Sequence, residues 1–217
     1  MLAYHNSGAK GIALKKVYVQ RVKMHIELDE IIHGRYWENG KGCAVGCTIH
    51  GSDHSAYERE LGIPRILARL EDRIFEGMRN GDSKEFPLRF LSAIEPGADL
   101  SLVWYQFAHW LLVDPEDGVI KYAKTDKSKN AITEVASLFN RAQRGLTVER
   151  AEWDGARRNA YAAYADADAA YAAYAAADAA YAAADKELTF FADKVVDILI
   201  ELKAPGCQWL PLLEASA

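Results

Sequence analysis

An all-α fold, a helical bundle, is what this chain predicts, and three observations lead to it. Apolar residues recur at three- and four-residue spacing through most of the 217 residues, glycines and prolines punctuate those runs, and alanine fills much of the last third. The one expected departure is a small turn or β-ribbon near residues 35–42.

The first run begins at Ile12 and continues through Val19, Val22, Ile26, Ile31 and Ile32, with Gly34 as its stop. Asn39-Gly40 then sits between short flanks, the strongest local signal for a type I′ turn, and Tyr36-Trp37 beside it favours extended backbone. A short apolar piece, CAVGCTI, is closed by Gly51, after which Ser55 and Glu58 match a capping box. Pro64 opens the next helix, whose stripe is Ile66, Leu67, Leu70, Ile74 and Phe75 up to Gly77. Asp82 or Ser83 caps a further segment that turns Phe86, Phe90, Leu91 and Ile94 inward and ends at Pro96-Gly97. LSLVWYQFAHWLLV is apolar nearly all round, so it reads as the central core helix, enclosed by its neighbours, with His109 a satisfied core residue. A helix from about Lys127 to Gln143, with Ile132, Val135, Ala136 and Phe139 on one side, ends at Gly145.

Composition changes near Gly145, which divides the chain into a helical part, 1–145, and a remainder, 146–217, expected to pack as one unit with it. The remainder repeats every ten residues as YAAYADADAA, YAAYAAADAA, YAAADKEL. Alanine density makes this a long helix, about 60 Å if unbroken from Thr147 to Lys186 at 1.5 Å per residue. Tyr161, Tyr164, Tyr171, Tyr174 and Tyr181 then fan over an arc of about 160°, with Asp168 and Asp178 within or beside it. A nearly bare alanine face lets another helix come close, and tyrosine brings rigid area with a polar tip, so these seven residues are the candidate partner-binding set. Leu188, Phe190, Phe191, Val195, Val196, Ile198, Leu199 and Leu202 form a closing core stripe.

Twenty-six basic against 31 acidic residues leave a formal charge of −5, which argues against direct nucleic-acid binding. Three cysteines with no leading apolar segment point to a cytoplasmic setting, and aspartates interrupt the longest apolar-looking tract, so no membrane partner is expected. Phosphate-loop, dinucleotide-fold and common hydrolase motifs are missing from the sequence.

Two groups of residues carry metal-ligand or nucleophile chemistry. Cys43, Cys47, His50 and His54 form C-x3-C-x2-H-x3-H, a zinc-capable set that one unbroken helix would spread over roughly 16 Å, so convergence needs a break at Gly46 or Gly51. His25, Asp29 and His33 are four apart and stack on one helix face, with Glu30 and His33 in the E-x-x-H relation of helical metal bundles. If the Asn39-Gly40 turn folds CAVGC back on that helix, His25, Asp29, His33, Cys43, His50, Asp53 and His54 share one pocket. That pocket would be a zinc site, or a hydrolytic one with Cys43 or Cys47 activated by an imidazole such as His50. The simpler expectation is no catalytic residue and no cofactor: small buried cysteines and a solvated helix face.

The segment YWENGKGCAVGCTIHGSDHSAYERELGIPRILARLEDRIFEGM resembles a group of uncharacterised bacterial and phage or prophage-type proteins that share KGCAVGC, LGIP and LARLEDRIFEG. The resemblance covers roughly the first half of the chain and implies a soluble, phage-borne context. It transfers no activity and no site residue. The function expected is non-enzymatic binding of a protein partner, a second copy included, in the manner of a phage inhibitor of host or anti-phage defence machinery. A metal-dependent or cysteine/histidine hydrolase is the alternative.

Overall fold

In the computed structural model, residues 1–78, 81–165 and 192–199 are described. Among them the chain is mostly helical with one two-stranded antiparallel sheet, as its periodicity predicts. The helices are α1 (Ala9–Glu27), α2 (Ala44–Ile49), α3 (Arg65–Gly77), α4 (Asp82–Ala93), α5 (Val103–Val113), α6 (Asp126–Gln143) and α7 (Arg150–Ala165). Strands β1 (Trp37–Glu38) and β2 (Lys41–Gly42) pair Trp37 with Gly42 and Glu38 with Lys41. Asn39 and Gly40 turn between them with φ of 52° and 82°, the left-handed pair that a type I′ turn requires.

Two compact units make up the chain: residues 1–101 with 183–217, and residues 102–182. Helices α6 and α7, on either side of Gly145, belong to the same unit, so the contact boundary falls at the start of α5 rather than at the composition change. In the first unit α1 packs on α4 and α2, and α3 packs on α4 and α2. Tyr4, Tyr57, Phe75, Phe86, Phe90 and Leu91 are fully enclosed there. Residues 192–199 are helical and bury Ala192, Val195, Val196, Ile198 and Leu199, in keeping with the expected closing stripe. In the second unit Thr125 caps α6 by accepting the Ser128 N–H at 3.1 Å, and Gly145 ends it with φ of 74°.

Three local expectations change. Helix α1 stops at Glu27, seven residues before Gly34, because Asp29 takes a left-handed φ of 55° and the 30–32 segment pairs with Gly42 instead. Residues Tyr57–Leu61 form a π-type turn rather than a capped α-helix, and Asp53, not Ser55, supplies the side-chain acceptor there. Helix α5 is not enclosed: only Val103, Phe107 and Ala108 are buried, and the remaining eight residues are half-buried. Helix α7 begins at Arg150. Asp168, Tyr171, Tyr174, Asp178 and Tyr181 lie outside the described residues, and Tyr161 and Tyr164 are placed on α7 by backbone alone.

Candidate functional site

The GCAVGC segment is the scaffold of the region. Gly42 and Gly46 both face the Tyr36 carbonyl oxygen, which an added Cβ would meet at 2.2 Å and 1.5 Å respectively. Only glycine lets the Tyr36 backbone, just before the ribbon, press so closely on α2. Cys43 caps α2, its sulfur accepting the Gly46 N–H at 3.4 Å, while its own N–H donates to Arg35 O at 2.7 Å. The segment does fold back beside α1, as the Asn39-Gly40 turn predicts, but it distributes the candidate ligands over separate places.

The first place is a line of imidazoles. His25, buried on α1, has Nδ1 2.6 Å from the Glu30 carboxylate and Nε2 2.8 Å from His50 Nε2. One imidazole donates to the other across that second contact. His50 ends α2 in a left-handed conformation with φ of 53°, and Trp37 stacks on it with ring centroids 4.7 Å apart. Burial, then the Arg21 guanidinium and the His25 ring, hold the His50 imidazole below the usual histidine value.

The second place lies around α3. Cys43 Sγ, one carboxylate oxygen of Asp72 and one of Glu76 all fall within 4.8 Å of one another, the one such donor group among the described residues. Asp72 and Glu76 line a cavity of about 220 Å³ together with Gly34, Arg35, Tyr36 and Arg73. His54 Nε2 is 3.2 Å from Asp72 Oδ2, and Tyr36 meets the His54 ring edge-on at 5.2 Å. Asp72 Oδ1 is buried with no hydrogen-bond partner among the described residues. Both Glu76 oxygens accept the Gly34 N–H, at 3.1 and 2.8 Å. Burial, with the Asp72 carboxyl beside it, pushes the Cys43 thiol well up.

The other candidates are placed as follows. Cys47 is buried, its thiol donating to Gly42 O at 3.3 Å and toward Glu30 O at 3.6 Å, and burial pushes its pKa up to about 12. Neither sulfur has an imidazole among its described contacts to take its proton, and burial pushes both thiols up, so nothing here activates a free cysteine nucleophile. His33 stacks on Phe75 at 4.4 Å and donates Nε2–H to its carbonyl at 3.0 Å. Asp29 is exposed and ion-paired with Lys84, and Asp53 is spent on Ser55 and Arg59. The tetrad Cys43, Cys47, His50 and His54 therefore does not converge, because Gly46 leaves α2 intact and sends His50 and His54 to different neighbours.

Asp72, Glu76 and the buried Glu71 were not singled out by the sequence reading. Their signal is present in LARLEDRIFEG: Asp72 and Glu76 lie one turn apart, and Glu71 falls within the buried stripe of Leu67, Ala68, Ile74 and Phe75. A carboxylate inside an apolar stripe is the mark to look for.

The chain matches no family model, and comparison with curated proteins and with solved structures gives no match. No described helix is long and apolar enough to cross a membrane.

Proposed function

We propose that the protein works by binding another protein, a second copy of the chain included, rather than by catalysis. One observation carries this reading: α5 reads VWYQFAHWLLV, yet buries only Val103, Phe107 and Ala108. At about 100° per residue, Tyr105, His109 and Leu112 lie on the side opposite Val103 and Phe107, around the buried Ala108, where Tyr105 also meets the Phe139 ring of α6 at 6.4 Å. Aromatic and aliphatic residues that stay half-buried are the composition of an interface core, where tyrosine, tryptophan and leucine lose their remaining water on association. The Tyr/Ala/Asp repeat at 161–184 adds to the sequence a second run of tyrosines, a residue type suited to interfaces. The net charge of −5 favours a protein over a phosphate backbone as the partner. The phage-type resemblance makes a host or anti-phage defence protein the first partner to try.

Size-exclusion chromatography with light scattering, followed by pull-down from host lysate, tests the reading. The expected result is a dimer or a specific captured protein, lost in Leu112→Asp and in the Tyr164→Ala, Tyr171→Ala, Tyr174→Ala triple variant, with circular dichroism unchanged. A monomer that captures nothing overturns it.

A further inference from the structure

Independently of that reading, we propose that Cys43, Asp72 and Glu76 form a zinc site at the cavity beside residues 34–36, with His54 holding Asp72 from outside the ligand set. Soft sulfur with hard carboxylate oxygens selects a borderline cation such as zinc over magnesium or calcium. The three donors come from two elements: the cap of α2 supplies sulfur, and Asp72 and Glu76, one turn apart on α3, supply oxygen.

The carboxylates are arranged as ligands need to be. Asp72 gives Oδ2 to His54 at 3.2 Å and keeps a buried Oδ1 with no partner among the described residues. Glu76 has two oxygens on a single donor, the Gly34 N–H, so one of them can leave without orphaning that N–H. Each carboxylate thus has one oxygen oriented by an outer group and one to offer, the pattern that fixes ligands around protein metals.

Zinc-bound sulfur at about 2.3 Å and oxygen at about 2.0–2.2 Å stand roughly 3.5 Å apart in a tetrahedron. The present limit of 4.8 Å is therefore closed by about 1 Å, within reach of the half-buried Glu76 side chain. A water from the cavity takes the fourth position. Three anionic ligands against a dication leave one negative charge, which the exposed Arg73 on the cavity wall offsets.

The untagged full-length chain is titrated with zinc against a competing chelator, and with cobalt(II) as a spectroscopic substitute. Expected are one zinc per chain and a thiolate-to-cobalt charge-transfer band that persists in Cys207→Ser. Cys43→Ser removes the band and weakens zinc at least tenfold, and Asp72→Asn weakens it similarly. His54→Gln keeps the band and weakens zinc by about 10–100-fold, as loss of an outer-shell partner does. No zinc binding, or an affinity unchanged in Cys43→Ser, overturns the site. Should Cys43→Ser fail to fold by circular dichroism, the half-buried Glu76→Gln decides the matter: tenfold weaker zinc supports the site and unchanged affinity overturns it.

Discussion

Gly46 is the residue on which the local architecture turns most sharply. A Cβ there would sit 1.5 Å from the Tyr36 carbonyl oxygen, a backbone atom with no freedom to swing away. Gly46→Ala is expected to cost at least about 2 kcal/mol in urea unfolding, since ribbon and α2 must separate. A loss under about 0.5 kcal/mol would mean that the close approach is not maintained in solution. Glu71 offers a second residue-scale test. It is fully buried, accepts the Tyr57 hydroxyl at 2.7 Å, and burial holds its carboxyl protonated well above the usual range. A neutral acid is closely mimicked by an amide, so Glu71→Gln should change stability by less than about 1 kcal/mol, whereas Tyr57→Phe should cost about 1–2 kcal/mol by orphaning the buried acceptor. The reverse order would show an ionised Glu71. His50 gives a pH dependence. Its folded value lies below the ordinary histidine value, so the unfolded chain takes up this proton first as pH falls. The contribution is present above about pH 6.5 and is lost as pH drops below that value toward the lower folded one. In thermal melts from pH 8 to pH 5, His50→Asn, which tolerates the left-handed backbone, should flatten the acid-side decline; an unaltered slope would assign that decline to other groups.

At the scale of elements, the sequence made most helices legible because their signals are local. The helix expected from about Lys127 to Gln143 shows this best: an apolar stripe and a terminal glycine agree, and α6 starts and stops within one residue of the expectation, with Thr125 as the cap the structure adds. Thr125→Ala should cost about 1 kcal/mol by thermal melt, as cap removal does. The ribbon was legible for the same reason, since Asn-Gly fixes its own turn. What stayed hidden depends on contacts distant in sequence. Glu30, Ile31 and Ile32 continue the helical pattern of α1, but pairing with Gly42 draws them into extended backbone and separates Asp29 and His33 from His25. Periodicity likewise said that α5 is apolar, not how much of it other elements cover. The candidate site was half readable. Cys43 and His54 stood out by chemistry, while Asp72 and Glu76, some thirty residues downstream, looked like ordinary charges on the wet side of an amphipathic helix.

For the whole molecule, the separation into two units assigns two kinds of chemistry to different parts of the chain. The first unit holds the imidazole line and the Cys43, Asp72 and Glu76 group, and the second holds α5 with its half-buried aromatic residues. Metal loading should therefore leave association unchanged, so adding zinc to the Leu112→Asp variant is expected to restore no oligomer in light scattering. The central claim is association through α5, and hydroxyl-radical footprinting of the chain alone and in its associated state tests it most directly. Tyr105, His109 and Leu112 should lose reactivity on association while Ile12 and Leu28 of the first unit keep theirs. Equal reactivity of the α5 residues in both states would contradict the account.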